Sequence, residues 1–168
     1  MKTENYMTLS GEAMEQLSKN GAFLTTKHGE NLNTMTISWA SLGTIWNKPV
    51  MIVAVRYSRH TYKLIDQSNQ FTVSVPALGE KKKELAFCGS KSGRDYNKFN
   101  ECGLVLKDSQ KISTPVIEGC QIHFECKTVY KQAMEPGLVD EGIKKTFYDS
   151  NDNYHVIYYG EIVACYKE

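Results

Sequence analysis

Tyr154-His155-Val156-Ile157-Tyr158-Tyr159-Gly160-Glu161-Ile162-Val163-Ala164-Cys165-Tyr166 is the stretch on which the fold class turns. Aromatic and β-branched side chains dominate it, and these favour extended backbone. With a two-residue period, Val156, Tyr158 and Ile162 share one face and Ile157, Tyr159 and Val163 the other. A terminal antiparallel strand usually leaves one face polar. Two apolar faces imply a strand inside a closed barrel, or one that also packs on a second copy of the chain.

The rest of the chain agrees with a β-rich fold. Residues 120–131 form a second long β-type segment. Residues 50–57 are apolar on both faces until Arg56, as in a strand covered on both sides. Residues 22–26 and 70–75 are strands, the latter stopped by Pro76, and 28–31 is a turn. From Asn33 to Trp39 the pattern alternates, with Asn33, Met35, Ile37 and Trp39 on one side and Thr34, Thr36 and Ser38 on the other. Helices are short inserts, at 10–17, from Ser58 through Ile65, at 80–87 and as a turn at 95–99. Strands never alternate regularly with long helices, which argues against a doubly wound parallel sheet. A mainly β, barrel-like antiparallel fold is expected.

The chain has 168 residues and a mass of 19.0 kDa, so residues 1–168 are read as one domain. Twenty basic against 19 acidic residues leave a net charge of +1, without the basic excess of a nucleic-acid binder. The start, Met1-Lys2-Thr3-Glu4-Asn5, leads into polar sequence without the apolar core of a signal peptide. No apolar run approaches membrane-spanning length, and five cysteines do not make an even disulfide framework. A soluble cytoplasmic protein with reduced thiols is expected.

Several chemistries are disfavoured. No Gly-x-Gly-x-x-Gly follows a strand, and no P-loop, Cys-x-x-Cys or His-Glu-x-x-His occurs. Gly89-Ser90-Lys91-Ser92-Gly93 carries lysine where a nucleophile elbow needs serine. Cys120, His123 and Cys126 do not suit a metal. On one strand His123 faces away from both cysteines, which would sit roughly 20 Å apart. No metal is expected, and the cysteines are read as small core residues, with Cys88 and Cys102 flanking a loop of interest.

Three segments suit one kind of ligand. Arg56-Tyr57-Ser58-Arg59-His60-Thr61 follows a buried strand and opens a helix. Ser58 is read as its N-cap, and free first-turn amides beside hydroxyls and arginines suit a phosphate. Cys88-Gly89-Ser90-Lys91-Ser92-Gly93-Arg94-Asp95 is a glycine-serine loop that lets backbone approach a ligand. Its Ser92-x-x-Asp95 pattern reads as a second helix start, with Lys98 a turn along. The strand ending in Trp39 offers backbone polar groups and an aromatic wall, as a flat heterocycle requires.

Taken in order, Asn33-x-Met35-Thr36-x-Ser38-Trp39, Arg56-x-Ser58-Arg59-x-Thr61, Ser92-Gly93-Arg94-Asp95-x-x-Lys98-Phe99 and His155-x-x-x-x-Gly160-Glu161-Ile162 resemble the flavin reductase-like, FMN-binding split-barrel family, and flavoredoxins in particular. The resemblance covers about residues 22–160. It implies an antiparallel six-stranded split β-barrel with short peripheral helices, a homodimer, and one FMN per subunit near the dimer interface. On that resemblance Asn33, Thr36, Ile37, Ser38 and Trp39 would line the flavin ring and ribityl chain. Arg56, Ser58 and Thr61 would hold the phosphate, with Gly89, Ser90, Ser92 and Lys98 completing the pocket. His155 would stand near the open face of the ring as the catalytic candidate.

The function so implied is an NAD(P)H-dependent FMN reductase, with NADH or NADPH as transient co-substrate. No side chain offers an obvious general acid or base, which suits hydride and electron transfer. The alternatives are a flavoredoxin-type electron carrier serving a protein acceptor or donor, and a non-catalytic FMN-binding module. The absence of a dinucleotide fingerprint leaves NADH and NADPH equivalent at this point.

Overall fold

In the computed structural model, residues 5–148 and 153–168 are described; the polar start at Met1 to Glu4 lies outside them. Helix α1 (Tyr6–Lys19) begins earlier than its apolar pattern indicates, because the Asn5 side chain accepts from the Met7 amide and caps it. It buries Leu9, Ala13, Gln16 and Leu17, the spacing of one helical stripe. Two hairpins follow, β1 (Ala22–His28) with β2 (Asn31–Ile37), and β3 (Ala40–Ile45) with β4 (Lys48–Arg56). Next come α2 (His60–Ser68), β5 (Gln70–Val75), α3 (Lys82–Ser90) and α4 (Lys98–Cys102). A small ribbon pairs β6 (Leu106–Lys107) with β7 (Val116–Ile117). The long strands β8 (Ile122–Ala133) and β9 (His155–Lys167) flank a 3-10 turn and α5 (Glu141–Phe147).

The main sheet has seven strands in the order β2-β1-β5-β8-β9-β4-β3, every neighbouring pair antiparallel. Six strands were expected; β3 is the seventh. Its turn, Trp46-Asn47, has φ of +53° and +57°, a two-residue hairpin turn without the glycine that usually marks one.

Strands β2 and β3 are opposite edges of this sheet, yet only Ser38 and Trp39 separate them in the chain. So short a connection spans at most roughly 11 Å, and the sheet must therefore curl until its edges meet. One core results. Met35 and Ile37 of β2 share it with Met51, Val53 and Val55 of β4, with Phe71 and Phe124 from the sheet centre, and with Leu9 and Leu17 of α1. Gly160 on β9 makes room for this closure, since a Cβ there would lie 2.5 Å from the Phe71 ring. The two faces of β9 differ. Val156, Tyr158 and Ile162 are buried, while Ile157, Tyr159 and Val163 are half-buried on the outside.

Cys120 precedes β8 and packs with Cys88 in a second cluster, whereas Cys126 belongs to the main core. The expected strand at 120–131 is therefore displaced by two residues, and Cys120 does not share its face. Among the described residues no group of three or more His, Cys, Asp or Glu could hold a metal ion, and no helix is long and apolar enough to cross a membrane.

Candidate functional site

Two adjoining cavities open beside the Ser38-Trp39 bridge, sharing Met35, Arg56 and Arg59 in their walls. The first, about 240 Å³, is lined by Thr36, Ile37, Ser38, Trp39, Ala54 and His155 besides the shared residues. The second, about 410 Å³, is lined by Asn33, Ser58, His60, Thr61, residues 90–94, Lys98 and Asn153. The sheet curl brings β2, β4 and β9 together around the first. The start of α2, the end of α3 and the start of α4 enclose the second.

The second cavity is built from cations with no acidic counterpart. Arg56, Arg59, Lys91, Arg94 and Lys98 line it, and its lining includes no carboxylate. Neutral backbone carbonyls orient four of them. Arg56 donates to Asn153 O and Phe147 O, both at 3.1 Å. Arg59 donates to Gly89 O at 2.7 Å and Arg94 to Ser58 O at 3.2 Å. Buried Lys98 donates to Thr34 O at 2.9 Å and Cys88 O at 2.8 Å. Their positive charge is thus aimed but not neutralised among the described residues. Burial lowers the pKa of both Arg59 and Lys98, and the neighbouring Arg56 adds to the effect on Arg59. Such a site favours an anion with several oxygens.

Gly93 shapes the cradle. A Cβ there would lie 2.1 Å from Asn33 Oδ1 and 3.0 Å from His60 Cδ2, so only glycine lets the loop lie this close. Asn33 Nδ2 in turn donates to Thr61 Oγ1 at 2.8 Å, leaving the threonine hydrogen free for a ligand. These residues fit a phosphate-bearing cofactor.

The first cavity has an aromatic wall. The Trp39 ring contacts His155 at 4.9 Å and Phe147, edge-on, at 5.1 Å between centroids. His155 is buried, its Nδ1 lies 2.7 Å from the Tyr148 hydroxyl, and burial with nearby Arg56 and Arg59 lowers its pKa to about 4. It is neutral at pH 7. An apolar groove, formed by Ala40, Ile52, Met134, Ile143 and Ile157, adjoins this cavity through Trp39 and Ala54.

Several expectations are corrected in detail. Asn33 lies in the phosphate-suited cavity instead of beside the ring-sized one. Ser58 is not the N-cap. Helix α2 is preceded by Arg59, without a side-chain cap, because Ser58 is occupied by Asn153, whose Oδ1 accepts from the Ser58 amide and whose Nδ2 donates to its hydroxyl. Gly89 and Ser90 are not loop residues but the last turn of α3, and Gly89 lines neither cavity; its carbonyl holds Arg59. Ser92 accepts from the Arg94 amide without opening a helix, and Asn97 caps α4 instead. Cys88 sits in α3 with its thiol pushed up to about 12 by burial, against thiolate chemistry at the loop.

Arg59, His60, Gly93 and Arg94 lie within the quoted motifs, but the resemblance gave them no role. Asn153 lies in a stretch, 130–153, that carries no motif, and nothing in the sequence marks it.

The model of the flavin reductase like domain matches residues 14–168. An uncharacterised protein of Archaeoglobus fulgidus is 32% identical over 116 residues, covering 69% of this chain and 64% of its own length. A flavoredoxin from Methanosarcina acetivorans superposes with a TM-score of 0.69 at 25% identity, over 89% of this chain and 68% of that one. An FMN-binding protein from Thermus thermophilus shares the fold, with a TM-score of 0.67 at 20% identity over 88% and 70% of the two chains.

Proposed function

The chain belongs to the flavin reductase-like domain family, and from that premise we propose that it is an FMN-binding oxidoreductase passing hydride or electrons between a reduced nicotinamide and flavin. The observation that carries this reading is the cation-only cavity joined to an aromatic-walled one. The phosphate would be held by Arg56, Arg94, Lys98, Ser58, Ser92 and Thr61, with the isoalloxazine against Thr36, Ile37, Ser38 and Trp39. When bound, FMN supplies the hydride- and electron-accepting centre that side chains lack.

The chain's own residues bind and orient. Trp39 walls the ring cavity, and His155 with Phe147 fixes the indole. His155, neutral and tied to Tyr148, positions this wall and is not a standing proton donor at pH 7. The apolar groove beside Trp39 suits the nicotinamide or another flat acceptor. A homodimer, with the half-buried outer face of β9 against a second copy, is part of the same proposal.

The likeness to a flavoredoxin at 25% identity favours a second reading, an electron carrier serving a protein partner. Anaerobic titration separates the two. Bleaching of the yellow protein by NADH or NADPH supports a reductase; bleaching only by a ferredoxin-like donor supports a carrier. Binding of FMN, FAD and riboflavin is compared in parallel. FMN should bind best, and equal affinity for riboflavin would overturn the phosphate assignment.

A further inference from the structure

His60 has no role in the site as described so far. Its Nδ1 is sealed from solvent and has no hydrogen-bond partner, a condition uncommon enough in folded proteins to need a cause. The ring lies in the wall of the cation-lined cavity, where a Cβ on Gly93 would come within 3.0 Å of its Cδ2. The charged groups facing it are Arg94 from the loop, Lys98 from α4 and Lys63 from its own helix. Arg56, Arg59 and Lys91 complete the cavity, and no carboxylate lies among these groups. Burial and the three facing cations lower the imidazole pKa, which favours the neutral ring at pH 7.

A phosphate monoester has its second pKa at about 6 and is close to a dianion above pH 7. Placed among these cations it offsets part of their field at the ring, and its attraction favours the imidazolium. We infer that His60 is an anion ligand of this cavity that takes a proton from solvent at Nε2, the ring nitrogen that is not sealed, when a phosphate monoester binds. This rests on the flavin-phosphate reading above. The consequence is reciprocal. Phosphate raises the midpoint of His60, and affinity falls with rising pH between its two midpoints, by up to tenfold per pH unit. Riboflavin, which carries no phosphate, has no such dependence.

Proton NMR of the four histidine rings in the full chain tests this from pH 5.5 to 8.5, with His60→Gln identifying the signal. Four samples are compared: no additive, inorganic phosphate, FMN and riboflavin. The His60 signal should titrate below about 6.5 without additive. It should move up by at least about one unit with phosphate or FMN and stay in place with riboflavin. Calorimetry of the wild type with FMN at pH 7, in two buffers of different ionisation enthalpy, should register proton uptake. This arm needs no variant. An unmoved His60 midpoint in phosphate, or an equal shift with riboflavin, overturns the proposal. Failure of FMN and riboflavin to bind at all would overturn the flavin reading instead, while the inorganic phosphate sample still reports on His60.

Discussion

His155 shows most plainly how the environment fixes a single residue. Its pKa falls from 6.5 to about 4, chiefly through burial, with Arg56 and Arg59 adding to the effect. The unfolded chain therefore takes up a proton that the folded chain refuses. Stability is fully present above about pH 6.5 and is lost as pH falls towards 4, by up to roughly 3 kcal/mol. Urea unfolding at pH 7.5, 6 and 5 should trace that slope, and His155→Gln should flatten it. An unchanged slope in the variant would assign the pH dependence elsewhere. Gly93 is a second single-residue constraint. In Gly93→Ala the new methyl meets Asn33 Oδ1; the overpacking should destabilise the fold by about 1–3 kcal/mol, read by urea unfolding, and the displaced loop should weaken FMN binding, read by fluorescence quenching. At this scale the motifs name Arg56 and Lys98, both of which line the second cavity. They give no sign of the carbonyl oxygens that hold them, because those come from other elements of the fold, at residues 34, 88, 147 and 153.

Element boundaries were the least legible feature. Helix α3 runs to Ser90 although its last residues are Cys-Gly-Ser, because it packs on β2: a Cβ on Gly89 would lie 3.4 Å from the Thr36 side chain, and Thr36 Oγ1 donates to Leu85 O at 2.6 Å. Tertiary contact here overrides local propensity. Helix α5 and the turn before it are short and exposed, with no periodic pattern to read. Their place is set by Arg56, which bonds Phe147 O at the end of α5 and lies 5.2 Å from the Tyr148 ring centre. Arg56→Ala should thus weaken FMN binding by about 1.5–3 kcal/mol, the range for a hydrogen bond to a charged group. It should also loosen α5. Faster amide exchange at 141–148, with the sheet unaffected, is the expected signature; unchanged exchange would mean that α5 holds itself in place.

At the scale of the whole molecule, the antiparallel β character was readable because β4 and β9 are too apolar on both faces to be anything but central strands. The seventh strand was not, because β3 is half-exposed and its turn lacks glycine. On the outside of β9, Tyr159 meets exposed Tyr130 and Trp46 at 5.1 and 6.3 Å between centroids. If this aromatic face joins two copies, sedimentation equilibrium should give twice the monomer mass. Tyr130→Lys should shift the population towards monomer; a single 19.0 kDa species for the wild type would exclude the dimer. Finally, the Ser38-Trp39 bridge works as a clasp. It holds the two free sheet edges together at a very high effective concentration without a ladder of hydrogen bonds between them. Lengthening a tether costs little entropy, about 0.6 kcal/mol per doubling, but here the tether is also the wall of the cavity. Two glycines inserted between Ser38 and Trp39 should leave the melting temperature nearly unchanged while flavin binding is lost, separating the closure of the barrel from the service it performs.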